Sequence, residues 1–212
     1  RQAIDSNGQS LVDGMKNLMA DLEKGRISMT DEAAFTLGDN IATTEGAVVY
    51  ENELLQLIQY RPLTATVSDR PLLVIPPFIN KYYILDLQPE NSFVRYCLEQ
   101  GNSVFIMSWA NPDADKSDLH WDDYLESGLF KALEVIKRIT RTKQLNTIAW
   151  CVGGTLLATA LAVLQARNDR SIASATFFTT LLDFSEPGEL GVFIDPEQVA
   201  PLKAVVADAG DA

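Results

Sequence analysis

Apolar positions along the chain follow two rhythms. In residues 1–45 the texture is polar, and Leu11, Met15, Leu18, Met19 and Leu22 recur at three- and four-residue intervals. That spacing predicts one amphipathic helix, with Gly25 as a plausible stop. Thr30-Asp31-Glu32 begins a weaker segment. From Gly46 the apolar residues gather into short runs. Residues 47–50 predict a strand and Glu51-Asn52 a turn; residues 54–60 fit either type, and Arg61-Pro62 breaks the chain. Further strand-like runs occupy 71–75, 103–109, 146–150 and 175–181. Between them, 93–100 predicts a helix ended by Gly101. Residues 122–139 predict a long amphipathic helix with Leu125, Leu129, Leu133, Ile136 and Ile139 on one face. Residues 155–165 predict another helix.

Short apolar strands alternating with helices predict an α/β chain. Its sheet should be mostly parallel, doubly wound and covered on both faces, with right-handed crossovers. No internal repeat or low-complexity tract interrupts the pattern. The 212 residues, 47% of them hydrophobic, suffice for one sizeable domain or a domain with an appendage. A net charge of −12 argues against nucleic acid as the main partner. Cys97 and Cys151 lie in different apolar contexts, and a single histidine offers no metal-ligand cluster, so neither metal nor cofactor is expected. A reducing, cytoplasmic compartment is the simpler reading of two separate cysteines. No signal peptide is visible, and the apolar stretch at 151–164 is too short to span a bilayer. The chain starts without Met, and residues 205–212 close no recognisable element; an internal piece of a longer protein is expected.

The candidate chemistry sits at Ala149-Trp150-Cys151-Val152-Gly153-Gly154. A strand-like run ends here and a helical one begins. A nucleophile elbow, G-x-nucleophile-x-G, needs this layout, because small neighbours relieve a sharp turn between strand and helix. Ala149 stands where the first glycine of that pattern belongs. The N–H of Val152 would help hold an oxyanion, and a helix beginning near Gly153 would aim its positive end at the sulfur. The second donor in such folds comes from the loop after an earlier strand, here Pro76-Pro77-Phe78-Ile79-Asn80-Lys81. The competing reading is a small buried cysteine beside a glycine bend. His120 precedes the cysteine, whereas the base follows the nucleophile in this pattern, so it reads as a surface or helix-entry residue. Asp183 reads as a polar cap after the 175–181 run.

Several longer motifs occur in order. They are Gly46-Ala47-Val48-Val49-Tyr50-Glu51-Asn52-Glu53-Leu54, then Pro76 to Lys81 continued by Tyr82-Tyr83-Ile84-Leu85-Asp86-Leu87. Ser108-Trp109-Ala110-Asn111-Pro112, Trp121-Asp122-Asp123-Tyr124, Cys151-Val152-Gly153-Gly154-Thr155 and Thr179-Thr180-Leu181-Leu182-Asp183-Phe184 follow. Together they resemble the polyhydroxyalkanoate synthases, class I. The resemblance implies an incomplete α/β-hydrolase fold over 46–184, preceded by the end of a helical N-terminal domain (1–45) and followed by the start of a cap region (185–212). It implies an acyltransferase that polymerises (R)-3-hydroxyacyl-CoA into polyester and releases CoA. Cys151 would be the nucleophile, and the N–H groups of Val152 and Ile79 the oxyanion donors. The triad Asp and His would lie beyond Ala212. The implied partners are the acyl-CoA substrate, the growing polyester chain and the granule surface in the cytoplasm, with homodimers possible. A thioesterase or esterase of the same fold, and an inactive binding or dimerisation module, remain alternatives.

Overall fold

The computed structural model describes residues 1–204 other than 32, 113–115, 196 and 198. Among them the strands are β1 (Gly46–Glu51), β2 (Leu55–Tyr60), β3 (Leu72–Ile75), β4 (Val104–Trp109), β5 (Leu145–Trp150) and β6 (Ile172–Phe178). The α-helices are α1 (Gln2–Asp5), α2 (Gln9–Lys24), α3 (Phe93–Glu99), α4 (Trp121–Asp123), α5 (Lys131–Thr140) and α6 (Val152–Ala166). The strands form one sheet in the order β1-β2-β4-β3-β5-β6.

β4, β3, β5 and β6 run parallel, as the alternation of strands and helices predicts. At the other edge β2 is antiparallel to both β1 and β4, so the sheet is mixed there. The cause is local. Asn52 Oδ1 accepts from the N–H groups of Leu54 and Leu55 at 3.0 and 2.9 Å, closing a turn too tight for a crossover helix. The ambiguous 54–60 run is therefore a strand. Its side chains serve both faces: Leu55 and Leu57 join one core, Ile58 and Tyr60 the other.

Those two cores sandwich the sheet centre. One packs Leu73, Ile75, Phe105, Met107 and Leu145 against Leu133 and Ile136 of α5 and Leu156 and Leu157 of α6. The second packs Val74, Val104 and Ile106 against Val94, Cys97 and Leu98 of α3. All four residues of β3 are buried, which is why its run reads as uninterruptedly apolar. Each such side chain contributes about 1.5–3 kcal/mol relative to exposure. Cover on both faces does not extend to β6, most of whose residues are exposed.

The predicted long helix at 122–139 is not uniformly α-helical. The wider π form spans Tyr124–Phe130 between α4 and α5. In that segment Gly128 lies against Trp109, where a Cβ would sit 3.0 Å from ring carbons Cη2 and Cζ3. The last predicted strand runs three residues earlier than expected, ending at Phe178 because the chain turns at Thr179, whose φ is 47°.

The predicted N-terminal amphipathic helix is α2, capped by Gly25 in the left-handed region at φ 68°. No residue of α1 or α2 is buried, and the stripe of Leu11, Met15, Leu18, Met19 and Leu22 is exposed. Past β6, a 3-10 helix covers Gly188–Phe193. The expected cap start at 185–212 falls partly outside the described residues, at 196, 198 and 205–212. Among the described residues no helix is long and apolar enough to cross a membrane.

A candidate active site at Cys151

β5 ends at Trp150 and α6 begins at Val152, so one residue, Cys151, makes the whole turn. Its backbone sits at φ 50° and ψ −125°. A side-chain-bearing residue in such a region costs about 1–3 kcal/mol and persists only where neighbours over-determine it. Here they do. The Cys151 N–H donates to the carbonyl of Phe178 at 2.9 Å, and the Cys151 carbonyl accepts from Gly154 and Thr155 at 2.9 and 3.4 Å. The hydroxyl of Thr155 donates to the carbonyl of Leu181 at 2.9 Å. The strained turn leaves the thiol exposed at the carboxyl ends of the parallel strands. The reading of Cys151 as a small buried residue is thereby corrected.

The helix begins three residues earlier than the pattern predicts, because Gly153 and Gly154 are themselves helical. Both are pressed against neighbours. A Cβ on Gly153 would lie 2.5 Å from the carbonyl oxygen of Ile75 and 2.8 Å from that of Pro76. A Cβ on Gly154 would run into the Thr180 side chain, 2.7 Å from its Cγ2. Crowding at the elbow thus falls after the nucleophile. Ala149, two residues before it, is fully buried between its strand partners Ile75 and Phe177, and its methyl belongs to the core beside Leu156 and Leu157. Restoring glycine there is expected to lower stability by about 1 kcal/mol, through a lost buried methyl and a freer backbone. A urea melt of Ala149→Gly beside the unaltered protein measures it, and the rate of Cys151 alkylation should stay unchanged.

The loop after β3 emerges beside this turn. Pro76, at its start, abuts Gly153, and the Ile79 residue three positions on is 69% exposed. Among the described residues, the N–H groups of Val152 and Ile79 donate to no protein acceptor. The far end of the loop is anchored at Asp86, a buried carboxylate whose Oδ1 accepts from Thr44 Oγ1 at 2.5 Å and Ser92 Oγ at 2.6 Å. Beneath it the Tyr60 phenol is pushed up by burial, and further by the Asp86 carboxylate. Asp86 carries no role in the sequence reading beyond its place in a motif; only a buried acid flanked by hydroxyl residues 42 and 6 positions away marks it, and the longer spacing is invisible before folding.

His120 stands at the N-cap of α4, where its backbone N–H donates to Asp123 Oδ2 at 2.8 Å and its carbonyl accepts from the N–H of Asp123 at 3.1 Å. Asp183 Oδ1 accepts from the N–H of Ser185 at 2.9 Å, and this bond holds its carboxyl below the usual range. His120 is thus the helix-entry residue, and Asp183 the polar cap, that the sequence suggests. Two cavities, about 690 and 440 Å³, open beside Asn52 and Glu53; Lys116 and Leu119 line the first, Lys81 and Asn111 the second, and Cys151 lines neither.

The other cysteine offers a contrast. Cys97 is buried under α3, and burial pushes its thiol up to about 11. At pH 8 it stays protonated and covered, while Cys151 is open to solvent. One equivalent of iodoacetamide is expected to label Cys151 alone, with Cys97 modified only in denaturant. Peptide mass mapping of the labelled, folded protein checks this.

A family model described as "Poly-beta-hydroxybutyrate polymerase (PhaC) N-terminus" matches residues 1–97. The chain is 52% identical over 212 residues to a "Poly(3-hydroxyalkanoate) polymerase subunit PhaC" of Cupriavidus necator, covering 100% of this chain and 36% of that protein. It is 45% identical to the protein of that name from Rhizobium etli, covering 99% of this chain and 34% of the relative. The chain therefore spans about a third of the length of these curated relatives. Among solved structures, ESTFA in its Fe-lacking apo form aligns with TM-score 0.51 and 11% identity over 84% of this chain and 56% of that one. An esterase of Rhizomucor miehei aligns with TM-score 0.51 and 12% identity over 76% and 51%. At such identities the likeness speaks to fold alone, and the fold is that of the α/β-hydrolases.

Proposed function

Because this chain belongs to the poly(3-hydroxyalkanoate) polymerases, we propose that the whole protein polymerises (R)-3-hydroxyacyl-CoA into polyester through an acyl thioester on Cys151. The observation that carries the reading is the strained turn that holds an exposed thiol at φ 50°, between β5 and α6. The Cys151 sulfur attacks the thioester carbonyl. The bond to the CoA sulfur breaks, and CoA leaves as its thiol after taking a proton. One thioester has replaced another, so loading is nearly balanced and the acyl group stays activated. The hydroxyl of the next unit, or of the chain end, then gives up its proton and attacks the acyl carbonyl, extending the ester and freeing Cys151. Each tetrahedral oxyanion would take hydrogen bonds from the N–H groups of Val152 and Ile79, which have no protein acceptor among the described residues.

Deprotonation of the thiol, and later of the hydroxyl, is work for a His–Asp pair. His120 stands at the N-cap of α4, and the Asp183 carboxylate accepts from the N–H of Ser185. The pair is accordingly assigned to residues beyond Ala212, as the family resemblance implies. A cap beginning after residue 184 would keep water from the acyl thioester. The growing polyester, the granule surface in the cytoplasm, and a second copy of the chain are the partners of this reading.

The deciding experiment incubates the whole protein with (R)-3-hydroxybutyryl-CoA and follows CoA, free acid and polymer. Polymer with stoichiometric CoA supports the reading. CoA with free 3-hydroxybutyrate replaces it with a thioesterase of the same fold, and no CoA at all replaces it with a binding module.

A further inference from the structure

The loop that carries Ile79 has no regular structure of its own, yet an oxyanion donor must be held within tenths of an ångström. What holds it comes from β4 and the π-helical segment. The indole N–H of Trp109, the last residue of β4, donates to the carbonyl of Pro76 at 3.0 Å in a buried bond. Pro76 is also the residue whose carbonyl lies against Gly153. One bond therefore fixes the start of the loop at the point where it meets the nucleophile's helix. The rings above continue the clasp. Phe78, directly before Ile79, packs edge-on against Trp109 with centroids 6.3 Å apart, edge-on against Trp121 at 6.1 Å and tilted against Tyr124 at 5.0 Å. Trp109 and Tyr124 are themselves 5.5 Å apart. From behind, Gly128 closes on the indole so tightly that a methyl there would be 3.0 Å from the ring. At the loop's end the Lys81 ammonium donates to Asn111 Oδ1, two residues past Trp109.

We propose that Trp109 is a positioning residue, whose indole N–H sets the Pro76–Ile79 segment at the distance from Cys151 at which the Ile79 N–H meets the developing oxyanion. Trp109 touches no reacting atom. It acts through a main-chain carbonyl that any residue at position 76 would supply, so its donor, not its bulk, carries the effect. This rests on the proposed function for the identity of the reaction, but not for the geometry.

The test uses the whole protein with two replacements: Trp109→Phe, and the isosteric benzothiophene side chain at position 109, which keeps the bicyclic shape and lacks the N–H. Three quantities are read: kcat and KM for CoA release from (R)-3-hydroxybutyryl-CoA, and the rate of Cys151 alkylation by iodoacetamide, which needs no oxyanion donor. The benzothiophene form is expected to lose about 10- to 100-fold in kcat, with KM and alkylation within about twofold of the unaltered protein. The phenylalanine form should lose at least as much. A benzothiophene form with kcat within threefold would overturn the proposal, since bulk alone would then suffice. So would a kcat loss matched by an equal loss in alkylation, which would put the effect in the cysteine turn. If the unaltered protein hydrolyses the thioester instead of polymerising it, the functional reading falls, while the same comparison of kcat values still judges Trp109.

Discussion

Cys151→Ala in the whole protein is expected to abolish CoA release from (R)-3-hydroxybutyryl-CoA, a fall of at least about ten-thousand-fold in kcat. The turn itself should survive. Alanine removes only the sulfur, and every hydrogen bond that Cys151 itself makes in the turn comes from its main chain: N–H to Phe178, carbonyl to Gly154 and Thr155. A folded, inactive protein separates loss of the nucleophile from loss of the elbow. Cys151→Ser sharpens the assignment. The serine hydroxyl is a far weaker nucleophile at neutral pH than a thiolate, and its acyl ester discards the activation that the next hydroxyl must use. It is expected to turn over at less than about a thousandth of the normal rate, with any product released as free acid and not as polymer. Full activity in either variant, measured as CoA release on protein verified by mass, removes Cys151 from the reaction.

Much of this arrangement is readable in the chain before folding, and the reasons are physical. β3 and β4 announce themselves because both faces are buried where Leu72–Ile75 and residues 104–107 run consecutively apolar; β5, whose burial alternates, shows itself only by the apolar end of its run before Cys151. The site is readable for a related reason: a one-residue turn between a buried strand and a buried helix needs small residues at fixed positions, and Gly153 and Gly154 stand there. Ala149 is uninformative for the opposite reason, since its methyl simply belongs to the core. Other features depend on partners distant in the chain. Whether 54–60 forms a strand depends on the Asn52 turn and on pairing with β4, some fifty residues on. The π form at Tyr124–Phe130 leaves the apolar spacing helical, so periodicity does not reveal it; its visible consequence, Gly128 against Trp109, exists only in three dimensions. The role of Trp109 is hidden likewise, because its acceptor is a carbonyl 33 residues away and carbonyls leave no mark on sequence.

The two glycines after Cys151 are expected to respond differently to the same methyl, and the difference tests how the elbow is built. Gly153→Ala places its Cβ 2.5 and 2.8 Å from two main-chain carbonyl oxygens, of Ile75 and Pro76. Neither can rotate away. β3 is buried and paired on both sides, and Pro76 is held by the Trp109 indole. The helix start must therefore move, carrying the Cys151 sulfur and the Val152 N–H with it. A displacement of about 1 Å is enough to cost about a hundredfold in rate, and the overpacking about 1–3 kcal/mol in stability. Gly154→Ala instead meets the Thr180 side chain, which also donates to the Phe178 carbonyl at 3.1 Å, the acceptor shared with the Cys151 N–H. That clash has a side-chain remedy. Adding Thr180→Ala removes the two nearest atoms, the hydroxyl and Cγ2, and leaves the Thr180 Cβ at 2.9 Å, so it should restore part of the stability lost in Gly154→Ala, whereas it should restore none in Gly153→Ala. Urea melts give the stabilities, and CoA release in the whole protein gives the rates. Equal rescue of both variants by Thr180→Ala would mean that the nucleophile's helix is not seated on the β3 carbonyls, and Gly153→Ala with unaltered kcat would detach the turn from the loop that carries Ile79.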